Sequence, residues 1–422
     1  MNMSRTIVVA CSITLVCIVI RRASSDELPR ATPAEVGLSS AKLDKIRSVV
    51  QAAVDKGQTT GAVVLVARHG KVVSLDAIGR MDGGNGPEVR PDTLFRIYSM
   101  TKPITSVAAL MLVEKGRIKL DDAVSLYLPE FKEQRVYTAA GTEGAAVKRE
   151  MTIRDLMRHT SGLTYGMPNG TAVDKLYIAN DVEDGREDLA TMVRKLGKLP
   201  LQDQPGARFN YSLSTDVLGR IIEVAAGQPL DTYMRNRIFK PLDMRDTGFE
   251  VDDVNVGRFA TRYQMGRNGT LVTTETPSKS HFRMHPKLLS GGGGLVSTAR
   301  DYARFCQMLL NGGKLGRARL LRPETVREMT TNQLPPEAMP MSLGGFRLPN
   351  LGFGLGVSVQ LEPNSSTAGP NAGEYGWSGA ASTFFWVAPR ADLFVVILQQ
   401  VEPLNIGLQL ALKPLIYSAI EK

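Results

Sequence analysis

The sequence predicts an α+β fold, an antiparallel sheet flanked by helices, with a mostly helical region inserted into it. Three observations carry this expectation. A helical pattern near the start runs into a hairpin rather than a lone strand. Strand patterns then fade for most of the chain and return only near its end. The stretch between is dominated by loops and amphipathic helices.

The first helix is read over Ser39–Lys56, where Leu43, Ile46, Val49, Val50 and Ala53 recur at helical spacing. Ser39 is placed as its N-cap and Gly57 as its stop. Gly61–Arg68 and Lys71–Ile78 are β-branched runs separated by His69-Gly70, a hairpin signal. Ser99–Lys115 reads as a strong helix with a stripe of Ile104, Val107, Ala108, Met111 and Leu112, ended by Gly116. Pro103 falls early enough in it to be tolerated. Helical stretches follow at Ile153–Arg158, Thr215–Ala226 and Leu230–Phe239. The four-glycine run Gly291–Gly294 reads as a flexible backbone bend, since it lacks the strand–glycine–helix spacing of a dinucleotide site. A helix at Ala299–Leu310 comes next, then strands at Phe353–Gln360, Ala381–Ala388 and Leu393–Gln399 and a closing helix at Leu404–Ile420. The expected division is an αβ domain from residues 26–95 and 295–422, an inserted helical domain from 96–294, and a site at their interface.

The first 25 residues stand apart. Thr6–Ile20 is uncharged and mostly apolar, and Ala23-Ser24-Ser25 supplies small residues behind it. This reads as a secretory signal peptide and so as an exported, periplasmic or secreted protein. Arg21 and Arg22 are untypical of a cleavage region, so a membrane anchor through residues 6–20 is the alternative. Beyond that segment the chain keeps only Cys306, set in an apolar helical pattern, which reads as a buried inert thiol. The net charge of +9 comes from basic residues scattered among acidic ones. No basic stripe with interleaved aromatics is present, which argues against nucleic acid as a partner.

Candidate chemistry is narrowed by what is missing. The chain has no Gly-x-Ser-x-Gly, His-Glu-x-x-His, Walker lysine or Cys-x-x-Cys pattern. None of its four histidines, His69, His159, His281 and His285, is singled out as a triad base. Ser-x-x-Lys remains, because residues i and i+3 share one helix face. It occurs at Ser39–Lys42, where a cap and a solvated lysine explain it, and at Ser99-Met100-Thr101-Lys102. The second copy opens a largely apolar helix. A lysine buried there is unfavourable unless it is paired, so a working role is favoured. Its amine can take the serine proton if it is neutral. Tyr211, in Asn210-Tyr211-Ser212-Leu213, is a candidate base if a nearby lysine lowers its phenol pKa. Tyr375-Gly376-Trp377-Ser378-Gly379-Ala380 opens a strand with small residues, where an edge N–H can complete an oxyanion hole beside Ser99.

These stretches together resemble a known family. Phe95–Lys102 followed by Leu120-Asp121-Asp122 is similar to the first box of class C β-lactamases and related serine esterases. Leu156–Leu163, Pro205-Gly206…Tyr211-Ser212, Phe239–Met244, the glycine run and Gly376–Gly379 follow in the family's order, so the likeness spans roughly Leu38 to Ile420. The resemblance implies a serine β-lactamase-like fold and a covalent acyl-enzyme on Ser99. It implies that Lys102 and Tyr211 share the acid and base work, and that the N–H groups of Ser99 and Ala380 form the oxyanion hole. It implies a small-molecule ester or amide as substrate, with no metal and no cofactor.

Two departures shape the expected specificity. The second box commonly ends in asparagine in lactamases and here ends in Leu213; the third begins with lysine there and with Trp377 here. Leucine and tryptophan give an apolar wall where polar groups would hold an anionic drug. Trp377, Ser378, Gly379 and Leu213 are therefore expected to bind substrate. A carboxylesterase is ranked first. A class C-like β-lactamase, D-amino-acid peptidase or acyltransferase is second, and a non-catalytic binding relative third. Arg283 and Lys287 are loop cations that could restore affinity for a carboxylate.

Overall fold

The computed structural model describes residues 27–84, 86–139, 141–363 and 371–421. The signal peptide or anchor expected over residues 1–25 lies outside the described residues. Among the described residues no helix is long and apolar enough to cross a membrane.

Seven strands build the main sheet: Gly61–Arg68 (β1), Lys71–Gly79 (β2), Leu351–Phe353 (β3), Ser358–Gln360 (β4), Tyr375–Gly379 (β5), Thr383–Ala388 (β6) and Leu393–Leu398 (β7). Their spatial order is β3-β4-β5-β6-β7-β1-β2, and every neighbouring pair is antiparallel. His69 and Gly70 join β1 to β2 with φ of 52° and 74°, the paired positive values that a tight two-residue hairpin turn requires.

Helices cover both faces. Lys45–Asp55 (α1) and Gly407–Ser418 (α5) pack on one, against Val64, Val66, Trp386 and Val395. Ala299–Leu310 (α4) packs on the other, against Val63, Leu65, Phe385 and Val396. This two-sided cover is why β1, β6 and β7 read as near-continuous apolar runs while β2, at the edge, is half-buried. The second core continues from α4 into the helical region around Thr101–Glu114 (α2) and Ser214–Ala226 (α3).

Four expectations need correction. The strand expected at Phe353–Gln360 is the hairpin β3–β4, because Gly354 and Gly356 break it and Gly356 turns at φ 91°. Tyr375–Gly379 does more than open the next strand: it is a full interior strand, β5, paired to β6. Ser39 sits at the N-cap position, yet its side chain makes no capping bond. Lys42 is exposed as expected, though its Nζ also bonds the Ser418 carbonyl at 2.5 Å. The run Gly291–Gly294 is not a flexible bend. Its segment is clamped between α2, α3 and the strand pair Phe95–Arg96 with Val296–Ser297.

Candidate active site

Ser99 lies in a single 3-10 turn, Tyr98–Met100, that leads into α2. The turn is held from both sides. Before it, the guanidinium of Arg96 is fully buried; it donates to Glu275 at 2.7 Å, to the Ala260 carbonyl at 2.7 Å and to Gln400 at 3.0 Å. It also lies 3.8 Å from the centroid of the Phe259 ring. Tyr98 adopts φ 42°, an unfavourable conformation for a residue with a side chain, while its hydroxyl accepts a bond from Arg262 at 3.1 Å. Such local strain persists only where the surroundings over-determine it, and it points Ser99 into an open cleft.

The end of β5 closes in from the other side. A Cβ on Gly379 would stand 2.3 Å from the Ile97 carbonyl and 2.4 Å from Thr383 Oγ1, so only glycine lets this strand approach the turn. Gly379 thus seats the Ser99 turn. Ala380 follows it and lines the cleft beside Ser99.

Lys102 is fully buried. Its Nζ donates to Ser99 Oγ at 3.2 Å, to the Tyr165 hydroxyl at 3.1 Å and to the Gly292 carbonyl at 2.8 Å. Burial alone would strip its proton; Tyr165, Tyr211 and Asp216 outweigh that and hold the amine above the usual lysine range. Lys102 is therefore an ammonium that donates, not the free amine considered from sequence.

Gly292 owes its position to Asp216 in the first turn of α3. The carboxylate, also buried, accepts from the Gly292 N–H at 3.0 Å and from Ser290 Oγ at 2.5 Å. A Cβ on Gly292 would fall 2.4 Å from Asp216 Oδ2. Asp216 thus fixes the peptide that holds Lys102 and supplies the negative charge nearby.

Tyr211 and Tyr165 stand side by side, ring centroids 5.5 Å apart and planes 28° apart. Two segments clamped together set this pairing: Asn210 N–H donates to the His159 carbonyl at 2.8 Å and Leu213 N–H to the Thr164 carbonyl at 3.2 Å. Lys102 Nζ lies 4.6 Å from the Tyr211 ring centroid. The Tyr211 hydroxyl accepts from the Trp377 indole N–H at 3.2 Å. Burial pushes the Tyr165 phenol up despite the opposing pull of Lys102.

The structure thus brings Ser99, Lys102, Tyr211 and Ala380 together, and the expected substrate-binding residues fare differently. Trp377 stands behind Tyr211, its ring 5.1 Å from that of Phe353, and does not line the cleft at Ser99. Leu213 joins the main core at 1% exposure and forms no cleft wall, because it precedes a helix whose inner face is buried. Ser378 pairs across strands with Phe384, which belongs to the α1/α5 side, so its hydroxyl faces away from Ser99. Arg283 is tied to Asp253, and neither it nor Lys287 lines the cleft. Tyr165, Asp216 and the Gly292 carbonyl are the members that sequence reasoning did not reach.

The histidines stay outside the constellation. His69 pairs with Asp392 at the hairpin turn, and His281 and His285 face Glu275 and Glu250. His159 is fully buried beneath Tyr211, ring centroids 4.7 Å apart, with Nδ1 3.4 Å from Ser212 Oγ. Burial, and then Lys102, hold its pKa well below the ordinary value, so it stays neutral. The unfolded chain takes up a proton near pH ~6.5 that native His159 refuses. Stability is therefore intact above that pH and drains away as the pH falls through it. His159→Phe should shrink the loss of Tm between about pH 7.5 and about pH 5. An equal loss in both proteins, by calorimetry, would rule His159 out as the titrating group.

Cys306 is buried in α4 and its thiol is pushed well up by burial, in keeping with an inert packing role. Among the described residues no group of His, Cys, Asp and Glu could hold a metal ion.

The antiparallel sheet between helical layers and the Ser–Lys–Tyr cluster beside it define a serine hydrolase of β-lactamase type. A Beta-lactamase family model matches residues 46–407, and the chain belongs to that family. It is 36% identical over 365 residues to Protein Rv1367c of Mycobacterium tuberculosis, covering 85% of this chain and 90% of that one. It is 32% identical over 410 residues to Esterase EstB of Burkholderia gladioli, covering 92% and 98%. Among solved structures it is similar to EstCE1, a hydrolase with promiscuous acyltransferase activity. That match has a TM-score of 0.77 at 28% identity and covers 89% of this chain and 98% of that one.

Proposed function

We propose that this protein cleaves carboxylic esters through an acyl-enzyme on Ser99. The observation that carries the reading is Ser99 Oγ, 3.2 Å from a buried ammonium, at one wall of a cleft of about 510 Å³ that, among the described residues, no lysine or arginine side chain lines. Phe282, Leu288, Pro286 and Met167 make much of its remaining wall apolar. Such a cleft suits a neutral acyl group and offers an anionic β-lactam no cationic anchor.

In this reading Ser99 Oγ bonds to the ester carbonyl carbon while its proton passes to the Tyr211 oxygen. Lys102 stabilises the negative charge on that phenol and keeps Ser99 aligned. The N–H groups of Ser99 and Ala380 hold the oxyanion. Tyr211 returns the proton to the leaving alkoxide, and the alcohol departs. Water, activated at the same oxygen, then releases the acid. Esterase EstB supports the hydrolytic outcome by likeness, and EstCE1 supports transfer to an alcohol in place of water as a second outcome at the same site.

Labelling with a serine-reactive phosphonate tests the nucleophile: the adduct mass should fall on the Ser99 peptide and vanish in Ser99→Ala. A graded series of aryl esters beside a chromogenic cephalosporin tests the substrate class. Losing a charge-assisted bond to a carboxylate is worth about 1.5–3 kcal/mol, so kcat/KM for the best short ester should exceed that for the cephalosporin by roughly ten- to a hundredfold or more. A cephalosporin turned over as well as the best ester would make lactam cleavage the primary activity.

A further inference from the structure

One acidic side chain in the cleft has no part in the proposed chemistry. Glu183 lines it together with Ser99, Tyr165 and Gly185, in the loop between the helices Ala172–Ala179 and Leu189–Leu196. Among the described residues its carboxylate has no hydrogen-bond or salt-bridge partner. Neighbouring acids on this loop are engaged: Asp184 with Arg186 at 2.8 Å, Glu187 with Lys195. A second hollow of about 320 Å³ shares Tyr165, Glu183 and Gly185 with the cleft. Among the described residues Arg186 is the one cation lining it, and its guanidinium is already bound in two-pronged fashion to Asp184. In the main cleft the only basic ring among the described residues is His281, which lies 3.5 Å from Glu275. A substrate group reaching from Ser99 toward Gly185 therefore meets an unpaired carboxylate and the ring of Tyr165, a pairing that attracts cations and repels carboxylates.

We propose that Glu183 makes this cleft prefer substrates carrying a positive charge on the group that extends from Ser99 toward Gly185, such as esters of amino or quaternary-ammonium alcohols and acids. The proposal deepens, and rests on, the ester-cleaving reading of Ser99. Glu183 is a specificity-determining residue in it and touches none of the bonds that break.

The test compares choline butyrate with 3,3-dimethylbutyl butyrate, two esters of the same shape that differ in one positive charge. Burial, and then the charge of Asp216, push the Glu183 carboxyl up to about 7, so the comparison is made at pH ~8.5, where the kcat/KM ratio of charged to neutral ester should be about two- to fivefold, and the ratio should fall as the pH drops below 7. Glu183→Gln should bring that ratio to near one and Glu183→Asp should keep part of it. The ratio should also shrink between roughly 20 mM and roughly 500 mM salt. Calorimetric binding of both esters to Ser99→Ala reads the same preference without turnover. A ratio unchanged by Glu183→Gln in either format overturns the proposal. If neither ester acylates Ser99 while the binding ratio behaves as stated, the ester-cleaving reading fails and the Glu183 assignment stands.

Discussion

Lys102→Met should lower kcat/KM by roughly ten-thousandfold, the order of loss seen when one member of a cooperating nucleophile set is removed. The same change should also lower Tm. Lys102 is a fully buried charge whose ammonium satisfies three acceptors. Removing one member of a buried charge pair costs about 3–5 kcal/mol because the other, here Asp216, is left uncompensated. The Gly292 carbonyl also loses its partner. The molecules that remain folded at low temperature should still be inactive, which separates a functional lysine from a structural one. Full activity per folded molecule would identify Lys102 as an ion holding the fold together. Arginine at 102 is not a rescue, since its planar fork cannot reproduce the compact three-way donation to Ser99, Tyr165 and Gly292.

Much of this arrangement was legible in the sequence because period and placement report burial directly. Ser99 and Lys102 stood out through a charge at the head of an apolar helix, and the hairpin through two β-branched runs about His69-Gly70. The same signal marks Asp216, a lone acid just before Val217 and Leu218 on an apolar helix face, and there it went unread. Tyr165 carries no local sign at all. Its hydroxyl reaches Lys102 because the chain folds back from Gly162 and is clamped to the Tyr211 segment through Thr164 and Leu213, a contact between residues far apart in sequence. Spacing was also misleading about orientation. Trp377, Ser378 and Gly379 sit together in the chain, yet alternation in β5 sends Ser378 to the opposite face, the indole N–H of Trp377 binds Tyr211, and Gly379 is consumed by the approach to Ile97. Leu213 looked like a cleft wall by position in its box and is core by geometry.

Tyr211→Phe should lower kcat/KM by about a hundred- to ten-thousandfold, the range for loss of a positioned acid–base group, and Tyr165→Phe by no more than about tenfold. The two phenols are stacked neighbours of the same ammonium, so contact with Lys102 alone does not tell them apart. Their surroundings do. Burial holds the Tyr165 phenol up even though Lys102 donates to it at 3.1 Å, so it stays protonated and serves to align the amine. The Tyr211 oxygen accepts the Trp377 indole N–H at 3.2 Å, and the ring is partly exposed beside Ser99. Proton transfer therefore belongs to Tyr211 and positioning to Tyr165. Pre-steady-state acylation with a chromogenic ester separates the roles. Tyr211→Phe should slow the burst itself. Tyr165→Phe should leave most of its rate, because the amine loses only one of its three acceptors. Trp377→Phe should act in the same direction as Tyr211→Phe but more weakly, since it deletes only the N–H that positions the Tyr211 oxygen, a bond worth about 0.5–1.5 kcal/mol. The reverse order, with Tyr165→Phe the more damaging, would move the base to Tyr165 and leave Tyr211 as its support.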